Sequence, residues 1–291
     1  MTDLKESTAV FCILARDCAE QLEYNISIIE NMRTAFKETH VVVVENDSRD
    51  ETLAVLKKWQ AESSSVDILH PDTSQFDKLD RIERIAACRN TYLAAIREPA
   101  YDYVVTIDAD VRLTDVSLSE ILSCAPPDFS AVFANGQYYT RIFGRRHPVS
   151  YYDLYAFLPA DAMSIYTEPE KLLKGAKTLR RGLKKNSFLR CNSAFGGMAV
   201  YRYDAICDAV YEAQPNPLGD ETLHFVCEHV GFNCKVREHG ALYIAGDLLL
   251  YYEELKDRRL AGIIFRNIVG DTVYTAVLRC YHRFTNKKQK R

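Results

Sequence analysis

A run of four valines at residues 41–44 is the feature that most limits what this 291-residue chain can fold into. An uninterrupted apolar run predicts a strand that is buried on both faces, as in parallel sheets covered by helices. The run lies within THVVVVEN, residues 39–46, and a second apolar stretch, TAVFCILA, occupies residues 8–15. Between them, residues 19–36 repeat apolar side chains at helical spacing. The chain is therefore predicted to begin as strand, helix, strand.

The same alternation continues as far as residue 108. We predict a helix over about 50–61, a short strand over 66–69, a helix over about 81–97 and a strand over 103–107. Strands that alternate with helices indicate an α/β fold with right-handed crossovers. In such folds ligands bind beyond the carboxyl ends of the strands.

The length and the charge distribution indicate one main domain with a basic extension. A chain of 291 residues is short for two catalytic domains, so we predict one domain over 1–250 and a helical extension over 251–291. Residues 256–291 contain ten Lys or Arg and two Asp, although the whole chain has a net charge of −3. Such a segment is typical either of a peripheral contact with an anionic membrane or of a last helix that packs on the core.

The cysteines and the N-terminus predict a cytoplasmic location. Nine cysteines are scattered without a CxxC pair, which disfavours a disulfide framework and a zinc ribbon. The first residues lack the charged and then apolar pattern of a secretory signal. Beyond the basic tail, nothing indicates a nucleic-acid partner.

Polar side chains follow three of the predicted strands at their carboxyl ends. Arg16 follows the first strand, Glu45 and Asp47 the second, and Asp108 and Asp110 the fourth. Each group alone is also typical of a turn or a helix cap. Together they predict a binding site at one edge of the sheet.

The two aspartates in TIDADVRL are typical of a site for a hard divalent cation. Carboxylate oxygens one residue apart can hold Mg²⁺ or Mn²⁺ while substrate phosphates complete the coordination shell. A cation in that position neutralises a diphosphate leaving group. Acidic residues are therefore compatible with an anionic substrate.

Arg89 lies within the apolar stripe of the predicted helix over 81–97, seven residues after Ile82. A guanidinium that faces the core needs an anionic partner, because an unpaired buried charge costs several kcal/mol. The strand-end carboxylates and a bound phosphate are the candidates. A purely structural salt bridge is the alternative.

Residues 8–245 resemble a known class of enzyme. In order and spacing, the first half is similar to the nucleotide-sugar-binding half of GT-A fold glycosyltransferases; the motifs are AVFCILARDCAEQLEYNI, VVVVENDSRDET, RIERIAACRN and YDYVVTIDADV. The second half resembles the fungal capsule-associated (cryptococcal α-1,3-) mannosyltransferase family and its bacterial relatives; the motifs are YYDLYAF, SAFGGMAVYR and GDETLHFVCEH. The resemblance implies a mixed, mostly parallel sheet flanked by helices. The chain departs from the fungal pattern in its Asp-Ala-Asp-Val and in lacking an N-terminal membrane anchor.

The resemblance also implies roles for the strand-end residues. Arg16, Glu45 and Asp47 would lie near the nucleoside, and Arg89 would lie against the diphosphate or the acids. Asp108 would approach the ribose and the metal, and Asp110 would ligate Mn²⁺ or Mg²⁺.

Three later residues complete the predicted site. GDETLHFVCEHV predicts a helix that places Asp220 and Glu221 in its first turn, where the helix dipole favours acids whatever their function. The resemblance implies that Asp220, or secondly Glu221, acts at the acceptor hydroxyl or the reacting sugar. It also implies His239 as a further metal ligand, with a solvated loop histidine as the alternative.

Two other groups of residues have more than one interpretation. Residues 171–190 carry eight basic and no acidic side chains, which is typical of a diphosphate-binding lid or of a solvated face. The tyrosines at 138, 139, 151, 152 and 155 could stack on sugar rings or pack at a sheet edge.

The expected function is transfer of a sugar, with mannose suggested by the resemblance, from a GDP- or UDP-sugar to a glycan or lipid-linked acceptor in glycoconjugate synthesis. One alternative is a nucleotide- or glycan-binding protein without activity. Another is an Asp-x-Asp phosphatase of the haloacid dehalogenase type. That class expects Thr or Val where this chain has Arg112, and its acids usually follow the first strand.

Overall fold

The first half of the chain folds as alternating strands and helices. A computed structural model of the protein describes residues 4–74, 76–98, 101–162, 168–180, 183–217 and 224–256. The elements of this half are β1 (Thr8–Ala15), α1 (Ala19–Arg33), β2 (Glu38–Glu45), α2 (Thr52–Glu62), β3 (Val66–Leu69), α3 (Arg81–Ala95) and β4 (Tyr103–Asp108). All seven predicted elements are confirmed, with differences only at their ends.

The second half adds longer strands and shorter helices. Its elements are α4 (Leu118–Cys124), β5 (Phe129–Ile142), β6 (Arg145–Tyr151), β7 (Leu158–Pro159), α5 (Pro169–Arg180), β8 (Phe188–Ser193), β9 (Met198–Arg202), α6 (Glu228–Val236) and β10 (Ala241–Glu254). The predicted boundary at residue 250 falls within β10. The predicted extension after residue 256 lies outside the described residues.

The strands form one mixed sheet in the order β3-β2-β1-β4-β9-β5-β10-β8-β7, with β6 paired to β5. Strands β1 to β4 are parallel, β9 runs antiparallel between β4 and β5, and β10 is parallel to β5. The mostly parallel α/β architecture is therefore confirmed.

Helices bury both faces of the central strands. Alternate valines of β2 enter opposite cores: Val41 and Val43 pack with α1 and α2, whereas Val42 and Val44 pack with α3. All four side chains are almost fully buried. The valine run therefore reflects two-sided burial, as predicted.

The parallel strands bring the predicted site residues to one edge of the sheet. Ala15 at the end of β1 is in register with Glu45, and Leu14 with Asp108. Polar groups that lie far apart in the sequence are thus neighbours. We refer to this edge as the site edge.

The helix predicted to open at residue 219 begins later, at Glu228. Residues 224–227 precede it in a non-helical conformation. The Asn216 amide donates to the His224 carbonyl at 2.8 Å, and the Val226 amide donates to the Gln214 carbonyl at 2.7 Å. Since this ladder uses backbone groups of residues 224 and 226 that a helix would need, the extended pairing replaces the predicted helix at residues 224–227.

Among the described helices, none has the length and apolar character needed to cross a membrane.

Candidate active site

The Asp108–Asp110 turn is held in place by buried backbone contacts. The Asp108 amide donates to the Gly197 carbonyl at 3.0 Å, which ties the end of β4 to the loop before β9. The fully buried Asn25 of α1 donates to the carbonyls of Ala109 and Val111 at 3.2 and 2.7 Å. The turn is therefore fixed before any ligand binds.

The two acids of this turn differ in their environments. Asp110 is exposed, whereas the side chain of Asp108 is 26% exposed. Burial raises the pKa of Asp108 to about 7, and the Arg89 guanidinium opposes the rise. A divalent cation would favour the ionised acids in the same way as Arg89 does, so this pair suits a cation.

Arg89 joins Asp108 to a second acid from the other half of the chain. One guanidinium nitrogen lies 2.9 Å from Asp108 Oδ1, and Nε lies 3.0 Å from Glu228 Oε1. Arg89 is 2% exposed and Glu228 is 4% exposed. The Phe195 ring lies beneath the guanidinium, with its centroid 4.9 Å from Cζ. Arg89 is thus the predicted inward-facing arginine, paired with two carboxylates.

A cavity of about 250 Å³ opens at the site edge between β1, β2, β4 and α3. The two aspartates of the turn and the two arginines that the sequence predicts at this site line the cavity, together with polar residues of α3 and of the loop after β2. The polar lining consists of Arg16, Asn46, Arg81, Arg84, Arg89, Asp108 and Asp110. Four guanidinium groups beside two carboxylates suit a ligand that carries phosphates and a cation.

Sequence reasoning missed Arg81 and Arg84, although their positions carried a signal. Both lie in the first turn of α3, on the same side as Cys88, which also lines the cavity. The capping box of Asp80 and Glu83 fixes where this helix begins. The spacing of the arginines along α3 could have identified them, because side chains three or four residues apart share a helix face.

Glu45 and Asp47 lie in the loop after β2, beside the cavity. Glu45 is 3% exposed. Its Oε1 accepts from the Ser48 amide at 2.7 Å, and its Oε2 lies 3.2 Å from His70 Nδ1. Asp47 is exposed and has a positive φ of 48°. This arrangement supports a loop-shaping role for Glu45 and leaves Asp47 facing solvent next to the cavity.

His239 lies at the opposite edge of the sheet, which corrects its predicted place in the metal site. It precedes β10, whose first residue, Ala241, is in register with Phe129 at the start of β5. Along the strand direction, about six residues separate Ala241 and Phe129 from Asp108, which is a distance of roughly 20 Å. His239 is also exposed. The alternative of a solvated loop histidine agrees with this position.

Asp220 and Glu221 lie outside the described residues. The first-turn acid of α6 is Glu228, which contacts Arg89. A helix that opens at residue 219, as the sequence predicts, places Glu228 in the helix interior and gives no sign of its contact with Arg89. Among the described residues, no cluster of three or more metal-ligating side chains is present. Oxygen atoms of a substrate phosphate would complete the coordination shell of a cation held by Asp108 and Asp110.

A further acid, the partly buried Asp153, contacts the loop before β9. Its carboxylate accepts from the amides of Gly196 and Ala156 at 3.0 and 3.3 Å. Burial raises its pKa to about 6. Gly196 and Gly197 in this loop both have positive φ, a conformation that glycine adopts without a steric penalty.

Comparisons with known proteins agree with this architecture. Residues 10–241 match the sequence model of the family described as Cryptococcal mannosyltransferase 1. No curated protein sequence matches the chain significantly. Among solved structures, the chain is similar to mannosyltransferase PcManGT from Pyrobaculum calidifontis, which was solved in complex with GDP-Man and Mn²⁺. The TM-score is 0.51 and the sequence identity is 14%, and the match covers 87% of this chain and 59% of that chain. The chain is also similar to S. aureus TarS 1–349, with a TM-score of 0.48 and 15% identity over 84% of this chain and 60% of that one.

At such identities the solved structures show the fold alone, and the chain spans about 60% of their length. The family match gives the phosphatase alternative no support. Because the matched residues cover most of the chain, including β1 to β4 and the Asp108–Asp110 turn, the protein belongs to the cryptococcal mannosyltransferase 1 family, and its mixed, mostly parallel sheet flanked by helices is the GT-A fold.

Proposed function

We propose that this protein transfers a sugar, with mannose as the first candidate, from a GDP- or UDP-sugar to a glycan or lipid-linked acceptor in a reaction that requires Mn²⁺ or Mg²⁺. Family membership supports glycosyl transfer. The complex of PcManGT with GDP-Man and Mn²⁺ supports testing that donor and that metal here first.

The observation that carries the proposal is the charge pattern of the cavity at the site edge. Asp108 and Asp110 lie on one side, and Arg81 and Arg84 lie on the neighbouring helix. Phosphate oxygens need positive partners, whereas a cation needs carboxylates. A cavity that offers both suits a metal-bound diphosphate better than either ion alone.

Each residue has a role that follows from its position. A cation bound by Asp108 and Asp110 would supply charge neutralisation at the departing diphosphate. Arg81 and Arg84 would hold phosphate oxygens by charge-assisted hydrogen bonds. Arg89 orients Asp108 through their 2.9 Å contact, because the planar guanidinium group of Arg89 is buried and has little freedom to rotate. Arg16 would lie towards the nucleoside, at the end of β1.

The acceptor-side roles of Asp220 and Glu221 rest on the sequence and remain part of the proposal. So do the cytoplasmic location and a peripheral contact of the basic C-terminal residues with an anionic membrane. We propose Asp220 as the first residue to replace when acceptor chemistry is measured.

The proposal is tested by thermal unfolding with a panel of GDP- and UDP-sugars, with Mn²⁺ or with EDTA. A ligand that binds the native state raises the melting temperature, so one donor is expected to stabilise the wild type only with the metal. Asp110→Asn should lose this metal-dependent shift. Asp208→Asn is the matched control, since Asp208 is exposed and follows β9 at the opposite edge of the sheet. A full shift in Asp110→Asn would contradict the metal assignment.

Donor hydrolysis separates an enzyme from a protein that only binds nucleotide sugars. The wild type should release free sugar slowly with Mn²⁺, and Asp110→Asn should do so at least about 100-fold more slowly, since cation stabilisation contributes several kcal/mol. Donor binding without turnover in the wild type, either alone or with glycan acceptors, would favour the binding-protein alternative.

A further inference from the structure

Three tyrosines form a continuous aromatic surface beside the Asp108–Asp110 turn. We call Tyr138 on β5, Tyr152 just after β6 and Tyr252 on β10 the tyrosine cluster. The rings of Tyr152 and Tyr252 stack with centroids 4.4 Å apart and an interplanar angle of 8°. Tyr138 meets both rings edge-on, at 6.2 and 5.7 Å. Residues from distant parts of the sequence therefore build one surface.

Backbone contacts hold the rings of this surface in place. The Tyr152 amide donates to the Gly136 carbonyl at 3.0 Å. A Cβ on Gly136 would lie 2.5 Å from the Tyr152 ring, so the ring occupies space that only glycine leaves open. Tyr252 follows Tyr251, which is in register with Gln137 of β5. A surface fixed in this way loses little conformational entropy when a ligand binds.

The tyrosine cluster is joined to both acids of the turn. Arg112, two residues after Asp110, exchanges both backbone hydrogen bonds with Tyr251, at 2.7 and 3.0 Å. On the other side, a Cβ on Gly197 would lie 3.0 Å from the Tyr152 hydroxyl, and the Gly197 carbonyl accepts from the Asp108 amide. The aromatic surface is thus adjacent to the proposed cation site.

The order of the strands indicates which part of the substrates meets this surface. The cavity with Arg16 and Asn46 lies on the β1 and β2 side of Asp108, whereas the tyrosine cluster lies on the β5 and β10 side. If the nucleoside extends towards β1 and β2, a diphosphate at Asp108 and Asp110 directs the transferred sugar towards the tyrosines. The acceptor must reach that sugar from the same side.

The chemistry of the surface favours a carbohydrate. A pyranose ring has a face of C–H groups that packs on an aromatic ring, and hydroxyls at its rim that pair with polar groups. Tyr252 is 39% exposed, so a ligand can reach its ring. We propose that the tyrosine cluster is the acceptor subsite and binds a pyranose unit of a glycan. This inference rests on the proposed function and specifies its acceptor class.

The test measures oligosaccharide binding to the full chain by saturation-transfer NMR, with mannotriose, maltotriose and cellotriose as probes in the presence of Mn²⁺ and the stabilising nucleotide. At least one trisaccharide should bind the wild type, and Tyr252→Ala should raise its Kd about fivefold, the range expected for losing one aromatic stacking partner. Tyr252→Phe keeps the ring and should stay within about twofold. Tyr101→Ala is the matched control, because Tyr101 is a partly buried tyrosine that pairs with Tyr203 at the opposite edge of the sheet.

The possible failures are distinguishable. Equal trisaccharide affinities for the wild type and Tyr252→Ala would overturn the acceptor subsite while leaving the donor site intact. So would the absence of binding by all three probes to a protein that still binds its nucleotide sugar. A wild type that binds no nucleotide sugar would contradict the proposed function itself, and the acceptor subsite with it.

Discussion

The guanidinium of Arg89 carries its charge in a nearly closed environment, and two carboxylates from distant segments neutralise it. Replacing Glu228 with an amide removes a charged partner from the buried guanidinium and leaves it only the Asp108 carboxylate, and the loss of a charged partner inside a protein is strongly destabilising. For Glu228→Gln we expect the free energy of unfolding to fall by about 3 kcal/mol. Chemical denaturation measures this loss, and Mn²⁺ affinity should weaken too because Arg89, which orients Asp108, loses its second partner.

The control for this change is a pair with the same chemistry on the surface. Glu238 lies 3.2 Å from Lys235, and both side chains are more than half exposed. Glu238→Gln should leave stability unchanged, because exposed ion pairs contribute little. If Glu228→Gln were as stable as Glu238→Gln, the buried salt bridge between Arg89 and Glu228 would not contribute to the stability of the protein.

Asp153 predicts a dependence of stability on pH. Its folded pKa, about 6, lies above the ordinary value of 3.8 for an aspartate, so protonation favours the folded state. The stability that this group contributes is present below pH 4 and is lost as the pH rises to about 6. Between pH 5 and 7 the wild type should lose about 1 kcal/mol relative to Asp153→Asn, which does not titrate. Denaturation of both proteins at the two pH values measures the difference, and parallel curves would contradict the raised pKa.

Single residues also show where sequence reasoning succeeds and fails. Arg89 was predictable because a charged residue interrupts an apolar helical stripe, and this pattern is local. Its partner Glu228 was not, since 139 residues separate the two positions. Only the tertiary fold brings them together.

At the scale of elements, the conformation of the loop before β9 affects the position of the Asp108–Asp110 turn, because Gly197 of this loop accepts from the Asp108 amide. Gly197 has a φ of 90°, and a Cβ there would lie 2.7 Å from Val111 Cγ1. Gly197→Ala should therefore destabilise the protein by about 1–3 kcal/mol and weaken nucleotide binding. Unfolding and titration experiments measure the two effects.

Gly144, at the tip of the β5–β6 hairpin, provides the comparison. Its φ of 77° is also positive, but among the described residues no atom lies within 4 Å of a Cβ built on it. Gly144→Ala should incur backbone strain alone and leave nucleotide binding unchanged. Equal nucleotide affinities in the two variants would show that the Gly197 loop does not control the site.

Local periodicity predicted β1 to β4 and their helices because each element has its own apolar pattern and lies next to its neighbour. It failed at residues 224–227 for a non-local reason. The bridge between Pro215 and Phe225 pairs two segments in extended conformation, and this pairing overrides the helical pattern of GDETLHFVCEHV. The helix begins only after the bridge, at Glu228.

At the scale of the whole molecule, the two halves differ in how well sequence predicts them. The first half is built from successive parallel crossovers, so chain order nearly gives the spatial order. In the second half β9 inserts between β4 and β5, and β10 pairs with β5 from more than 100 residues away. Chain order does not reveal these pairings, and the tyrosine cluster depends on them.

The 14 residues of β10 run the full height of the sheet. The strand enters beside His239 at one edge and ends at the other, where Tyr251 pairs with Arg112. The last described residue, 256, therefore lies at the same end of the sheet as the Asp108–Asp110 turn. The ten Lys and Arg residues at 256–291 are joined covalently to the fold at this end, so we expect a partner that binds them to be held near the proposed cation site.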